Sequence, residues 1–194
     1  GTVDNTEHVQ DAIIASNATV PTTITLGDGA VLRNFGGMSA VRVTDQAKLV
    51  MKSGSVIEDA SSITRSKGDA GSVGPAGAVW LQGGSFEMKA GAAIQNINGR
   101  AVYADGGSVS VGGTISGNTA TGGSNSYGGG VFVNNDSEFN MSGTAKITGN
   151  TASTDGGGVY AGGTFTVSGT PTITGNNNIR NGNNVTNNVY LPKG

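Results

Sequence analysis

The chain has 194 residues, which fits one domain over 1–194, and it has no cysteine, so disulfides and thiolate metal sites are excluded. Eleven Lys and Arg against thirteen Asp and Glu give a net charge of -2, without the basic stripe that nucleic-acid binding requires. No apolar run predicts membrane insertion. Thirty-five glycines would fit a flexible linker, but Val, Ile and Phe recur at every second position, which indicates packed strands.

The first residues differ from the pattern that follows them. Asp4 and Glu7 fit a capping box, and Val9, Ala12 and Ile13 recur at helical spacing. The sequence therefore predicts a short amphipathic helix over about residues 4–16. Such a helix would cap the open end of a repeat structure.

From residue 22 to residue 192 the alternation predicts coils of three short strands, which we name A, B and C. Strand A supplies pairs of inward residues, Ile24 with Leu26, Leu49 with Met51, Phe86 with Met88, Val109 with Val111, Phe139 with Met141, and Phe165 with Val167. Strand B supplies Leu32, Ile57, Ile94, Ile115, Ile147 and Ile173. Strand C supplies Val41 with Val43, Val79 with Leu81, Val102 with Ala104, Val131 with Val133, Val159 with Ala161, and Val189 with Leu191.

The spacings between these positions separate two nearly constant corners from one variable corner. From A to B they are 8, 8, 8, 6, 8 and 8 residues, from C to the next A they are 8, 7, 7, 8 and 6, and from B to C they are 9, 22, 8, 16, 12 and 16. Glycines before strand C, such as 128–130 and 156–158, predict tight corners. Because parallel crossovers are right-handed, the sequence predicts an all-β, right-handed, single-stranded parallel β-helix of about six coils, a solenoid.

The middle residue of strand C is aromatic in five coils. These residues are Trp80, Tyr103, Phe132, Tyr160 and Tyr190, preceded in the first coil by Arg42. Alternation predicts that they form an outward ladder, and exposed aromatic stripes commonly bind ligands. The expected ligand is a glycan chain or a protein surface. Two alternatives stay open: the rings stack only to stabilise the sheet, or strand C faces the other way and the rings lie in the core.

Three asparagines occupy equivalent positions after strand B. We expect Asn118, Asn150 and Asn176 to form a ladder in which each side-chain amide bonds to the coils above and below. This ladder is a structural device rather than a catalytic signal.

A carbohydrate-active enzyme, either a polysaccharide lyase or a glycosidase, is the second functional hypothesis. Glycoside hydrolysis needs two carboxylates on one face, and no such pair is evident, so no catalytic residue, metal or cofactor is assigned. The compact charged group in the longest loop, Arg65, Lys67 and Asp69, is a candidate binding site. Its alternative is a run of solvated loop charges.

Several phrases resemble repeats of a known family. Residues 112–120 (GGTISGNTA), 146–152 (KITGNTA), 156–160 (GGGVY) and 187–192 (NNVYLP) are similar to the right-handed β-helix, pectate-lyase-like adhesive domains of bacterial surface proteins. The resemblance implies a secreted or cell-wall-attached, extracellular adhesion or display domain, with further domains of a larger surface protein. An inert spacer is the third hypothesis.

Overall fold

A computed structural model describes residues 2–4, 13–16, 19–34, 39–59, 77–121 and 126–193, with side chains from residue 13 onward. These residues form strands and turns and contain no helix. Accordingly, no helix in the described ranges is long and apolar enough to cross a membrane.

The strands are short, with two exceptions of eleven and twelve residues. The first eight are β1 Thr2–Asp4, β2 Ile13–Ala15, β3 Thr23–Leu26, β4 Val31–Arg33, β5 Val41–Met51, β6 Val56–Glu58, β7 Gly77–Met88 and β8 Ala93–Gln95. The next eight are β9 Arg100–Ala104, β10 Gly107–Val111, β11 Thr114–Ser116, β12 Thr119–Ala120, β13 Val131–Val133, β14 Ser137–Met141, β15 Lys146–Thr148 and β16 Thr151–Ala152. The last six are β17 Val159–Ala161, β18 Thr164–Val167, β19 Thr172–Thr174, β20 Asn177–Arg180, β21 Asn183–Thr186 and β22 Val189–Tyr190.

The strands form three sheets. A seven-stranded sheet, in the order β1-β4-β6-β8-β11-β15-β19, contains the B strands. An eleven-stranded sheet contains the A and C strands along the path β18-β14-β10-β7-β9-β13-β17-β22, with β5 paired to β2, β3 and β7. A four-stranded sheet, β12-β16-β20-β21, lies between strands B and C. The chain is therefore all-β with parallel sheets, an arrangement compatible with a β-helix or solenoid.

The predicted alignment of the strands is confirmed by their register. In the A column Ile24 pairs with Leu49, and the pairing continues through Phe86, Val109, Phe139 and Phe165. The B column pairs Leu32, Ile57, Ile94, Ile115, Ile147 and Ile173 in that order. The C column pairs Val41, Val79, Val102, Val131, Val159 and Val189. Every one of these pairings is parallel, so like residues repeat directly above one another.

The predicted N-terminal helix over residues 4–16 is wrong. Ile13–Ala15 is a strand that pairs with Val41–Val43, and Thr2–Asp4 is a strand that pairs with Val31–Arg33. Residues 5–12, which carry most of the helical pattern, lie outside the described residues. The physical reason is that Ile13 and Ala15 continue the inward column of strand C, and sheet pairing outweighs helix propensity in so short a segment.

Two further features of the chain path were not predicted. Strand C runs directly into the next strand A within β5 and again within β7, where the backbone bends at positive φ angles of 58° at Asp45 and 87° and 68° at Gly83 and Gly84. At the other end, β20 and β21 pair antiparallel through Asn181 and Gly182, both at positive φ. This Asn-Gly pair is the usual signal of a two-residue hairpin, and the hairpin ends the four-stranded sheet.

The core is a narrow column between the sheets. Its largest fully buried side chains are Phe86, Phe139, Leu32, Leu49, Met51, Ile57, Leu81, Met88, Ile94, Ile97 and Ile115. Apolar side chains become exposed toward the last coil, where Val167 is 53% and Val189 37% exposed. The described strands thus bury their inward faces in the middle of the column, whereas Ile13 and Ile24 at its N-terminal end are partly buried and the C-terminal end is exposed.

The glycine corners before strand C are as tight as the sequence predicts. Gly128 and Gly156 have φ angles of +64° and +68°. A Cβ on Gly129 would lie 2.4 Å from the carbonyl oxygen of Thr151, and one on Gly157 would lie 2.0 Å from that of Asn177. Backbone therefore passes against backbone at this corner, which fixes the direction in which strand C begins.

Candidate binding surface on the aromatic ladder

The rings of strand C form one continuous ladder, as the alternation predicts. Trp80 pairs with Tyr103, Tyr103 with Phe132, Phe132 with Tyr160, and Tyr160 with Tyr190. Ring centroids are 4.9 Å apart for Tyr103 and Phe132, 5.0 Å for Phe132 and Tyr160, and 5.5 Å for Tyr160 and Tyr190. The first two distances are close to the spacing of neighbouring strands, and the third is longer.

The ladder lies on the outer side of the sheet. Val131 and Val133, which flank Phe132, belong to the hydrophobic core cluster, whereas Phe132 and Tyr160 do not. The same is true of Val159 and Ala161 around Tyr160. The alternative that placed the rings in the core is therefore wrong.

The exposure of the ladder changes along its length. Trp80 and Tyr103 are only 6% and 9% exposed, although neither belongs to the core cluster. Phe132, Tyr160 and Tyr190 are half-buried. An incoming ligand can therefore reach the C-terminal half of the ladder and not the rings of Trp80 and Tyr103.

Stacking limits which parts of the rings a ligand can touch. The planes of Tyr103 and Phe132 differ by 14°, those of Phe132 and Tyr160 by 10°, and those of Tyr160 and Tyr190 by 22°. Phe132 and Tyr160 therefore have both faces covered by neighbouring rungs and present their edges outward. Tyr190 lies in β22, the last strand on the path of its sheet, so its outer face has no further rung among the described residues.

Two arginines contact the ladder at different heights. The guanidinium carbon of Arg42 lies 4.8 Å from the Trp80 ring, and its Nε donates a hydrogen bond to Gln82 Oε1 at 2.8 Å. Arg100 is 6% exposed, and its guanidinium carbon lies 5.7 Å from the Tyr103 ring and 5.5 Å from the Phe132 ring. Burial lowers the pKa of Arg100 to about 10, so the side chain keeps its charge at neutral pH.

Tyr127 adds a ring beside the ladder. Its ring centroid lies 4.9 Å from that of Tyr160 at an angle of 49°, and its carbonyl oxygen accepts a hydrogen bond from Arg100 Nε at 2.5 Å. Burial raises the pKa of Tyr160, and the neighbouring Tyr127, Tyr190 and Asp155 raise it further. The half-buried rings of Tyr127, Phe132, Tyr160 and Tyr190 make up what we call the rim.

The asparagine ladder is confirmed, and it is longer than predicted. The Nδ2 of Asn118 donates to Oδ1 of Asn150 at 2.7 Å, Asn150 donates likewise to Asn176 at 2.9 Å, and Asn176 to Asn188 at 3.1 Å. Each acceptor also receives the backbone N–H of the preceding asparagine. Asn118, Asn150 and Asn176 are fully buried, so the ladder holds neighbouring coils together and is inaccessible to a ligand.

The candidate group in the longest loop, Arg65, Lys67 and Asp69, lies outside the described residues. Elsewhere Glu58 accepts a hydrogen bond from Gln95 at 2.8 Å, and Glu87 pairs with Lys48 at 2.8 Å and with Lys89. No group of three His, Asp or Glu side chains that could hold a metal ion occurs in the part of the chain that the structure covers.

Sequence reasoning missed three residues that shape this region. Arg100 stands where the coils on either side have Gly77 and Gly129, and a large residue among aligned glycines was the available signal. Tyr127 occupies the place that Asp155 holds one coil later, as the hydrogen bond from Gly128 N to Asp155 O shows. Asn188 was hidden because it follows Asn176 by 12 residues, far less than the 26 and 32 between the other rungs.

Comparisons of this chain with protein-family models, with curated proteins and with solved structures found no match.

Proposed function

We propose that this chain is a non-catalytic adhesion or display domain of a secreted or cell-wall-attached bacterial surface protein. Its scaffold would be a right-handed parallel β-helix of about six coils. The three parallel columns of paired residues support this scaffold, because each column takes one strand from each coil in chain order. A stack of this kind presents side chains at a fixed spacing along a rigid surface.

The rim is the observation that carries the binding proposal. Tyr127, Phe132, Tyr160 and Tyr190 are half-buried on one outer face, whereas equivalent rings at Trp80 and Tyr103 are covered. Partly exposed aromatic clusters on a rigid support favour binding, since two-torsion side chains lose little entropy on contact. Three of the four rim residues carry a hydroxyl group that can donate and accept hydrogen bonds.

The expected ligand is a glycan or a host-surface protein. Because Phe132 and Tyr160 are stacked on both faces, the ligand would contact their edges, and a sugar ring could stack on the outer face of Tyr190 or on the tilted ring of Tyr127. The rim would therefore hold one end of a glycan rather than a long chain laid across every rung.

Arrays of glycans and of extracellular-matrix proteins test this proposal. We expect Tyr190→Ala to weaken binding roughly tenfold, since truncation of an aromatic anchor can cost more than about 1 kcal/mol. Tyr160→Phe should weaken it by a few-fold, because it removes one hydroxyl group worth about 1 kcal/mol in a hydrogen bond. Tyr103→Phe is the matched control, because it removes the same hydroxyl group from a ring that a ligand cannot reach. Equal losses in all three variants would contradict a binding surface at the rim.

The same arrays separate the alternatives. Cleavage of an oligosaccharide by the wild-type chain would support a carbohydrate-active enzyme and overturn the adhesion proposal. Absence of binding on every array would contradict the adhesion proposal and favour the hypothesis of an inert spacer.

A further inference from the structure

The Arg100 side chain links two coils at the edge of the rim. Arg100 is the first residue of β9, and its Nε reaches the carbonyl oxygen of Tyr127, 27 residues later, at 2.5 Å. The chain leaves Tyr127 through Gly128, whose φ of +64° turns it into strand β13. A buried guanidinium thus fixes the backbone at the residue whose side chain covers Tyr160.

The surroundings explain why an arginine fits at this position. The register pairs Arg100 with Gly77, and the amide of Ala101 bonds to the carbonyl oxygen of Gly129. Both neighbouring coils therefore have glycine at the position aligned with Arg100, so neither places a side chain there. The guanidinium carbon lies 5.7 Å and 5.5 Å from the centroids of Tyr103 and Phe132, which stack on each other, so it packs against the side of this stacked pair.

We propose that Arg100 is the positioning residue of the rim, a latch that holds Tyr127 against Tyr160 and so sets which part of Tyr160 a ligand can reach. With the latch closed, the Tyr127 ring tilts across the side of Tyr160 and narrows the rim. With the latch released, Tyr127 moves away and a larger part of the edge of Tyr160 is open to water. The consequence for ligand recognition rests on the proposed function, whereas the latch itself is a property of the folded chain.

The pKa of Tyr160 indicates whether Tyr127 is held against Tyr160, and it can be measured without any ligand. The groups that act on the Tyr160 hydroxyl are Tyr127, Tyr190 and Asp155, together with burial. Of these influences on the pKa, Arg100 controls those of Tyr127, because its hydrogen bond holds Tyr127 in place. Tyr127 acts on Tyr160 through its own hydroxyl group and by burying the Tyr160 ring. Release of the latch would therefore move the pKa of Tyr160 down, toward its ordinary value of 10.0.

The experiment is a titration of tyrosine ring carbons by NMR, with the Tyr160 signal assigned from Tyr160→Phe. We expect Arg100→Met to lower the pKa of Tyr160 and Arg42→Met to leave it unchanged. Arg42 is the matched control, because it also stacks on a ladder ring but lies at the Trp80 end. An unchanged Tyr160 titration in folded Arg100→Met would overturn the proposal.

A double-mutant cycle tests whether Arg100 acts on Tyr160 through Tyr127. Tyr127→Ala should lower the pKa of Tyr160 as Arg100→Met does, and the double variant should lower it no further. If the two effects add, Arg100 acts on Tyr160 independently of Tyr127 and the latch is refuted. Arg100→Lys supplies a second, milder release, because an ammonium group lacks the planar Nε donor.

The two proposals fail separately. If the titrations behave as expected and no array shows binding, the latch stands and the proposed function falls. If binding at the rim is found and Arg100→Met leaves the Tyr160 titration unchanged, the binding surface stands and the latch falls.

Discussion

Asn150 and Asn176 lie 26 residues apart in the chain, and the side-chain amide of the first donates to Oδ1 of the second at 2.9 Å in a fully buried site. The Nδ2 of Asn150 also donates to the carbonyl oxygen of Ile115 at 3.2 Å, and its Oδ1 accepts from the backbone and side chain of Asn118. One side chain therefore satisfies polar groups in the coils on both sides of it.

We predict that Asn150→Ala lowers the free energy of unfolding by about 3 kcal/mol or more, because several buried donors and acceptors lose their partner at once. Urea denaturation measures the change. Asn140→Ala, at a half-buried outward position in β14, is the control and should cost under about 1 kcal/mol. If Asn150→Ala lost no more unfolding free energy than Asn140→Ala, the asparagine ladder would not contribute to stability.

The glycine corner gives a second prediction. A Cβ on Gly130 would lie 2.6 Å from the carbonyl oxygen of Gly158 and 3.0 Å from Cγ2 of Ile147, so Gly130→Ala should destabilise the fold by about 1–3 kcal/mol. Gly27 has nothing within 4 Å of the same atom, and Gly27→Ala should change stability by less than about 0.5 kcal/mol. Thermal unfolding of the pair tests this difference. Indistinguishable melting temperatures for the two variants would mean that the backbone at the corner can shift to accept a Cβ without loss of stability.

The Glu87 cluster predicts a small acid dependence. Hydrogen bonds from Lys48 and Lys89 lower the pKa of Glu87 below 4.5. A lowered folded-state pKa contributes stability that is present above the unfolded-state pKa and is lost as pH falls through the folded-state value. Because the cluster is partly exposed, we expect only about 0.2–1 kcal/mol. Urea unfolding at pH 7 and below pH 4 should show this loss in the wild type and a smaller one in Glu87→Gln.

Tyr160 predicts an alkaline dependence of opposite sign. Its raised pKa means that the folded state holds the phenol proton more tightly than the unfolded state does. This stability is complete below pH 10 and is lost as the pH rises through the higher folded-state pKa. Tyr160→Phe should reduce the slope of unfolding free energy against pH in that window. If Tyr160→Phe left the slope of unfolding free energy against pH unchanged, Tyr160 would not be the group responsible for the alkaline dependence.

The paired positions of strands A, B and C could be predicted, because inward and outward residues alternate along each strand in the sequence. Ile57, Ile94 and Ile115 lie at matching places in their coils, and only a parallel stack gives such residues one shared environment. The same logic located the ladder from Trp80 to Tyr190, since its rungs lie between paired inward residues.

The rest depended on contacts that no local pattern encodes. Trp80 is buried and Phe132 half-buried although both occupy the middle of strand C, and the hydrogen bond from Arg100 to Tyr127 joins residues 27 apart. At the N-terminal end, Ile13 lies at helical spacing from Val9 and Ala12, but its pairing with β5 makes Ile13–Ala15 a strand. Spacing over so short an apolar segment does not separate a helix from a strand.

The near-parallel rings, with centroids 4.9, 5.0 and 5.5 Å apart, make circular dichroism a probe of how the strands of the ladder are aligned. Electronic transitions of chromophores held this close couple to one another, so circular dichroism in the near ultraviolet depends on every rung staying in its place. A slip of one coil against the next by a single residue would exchange a ring for a valine and abolish that coupling. The protein thus carries a built-in signal for whether its coils are correctly aligned.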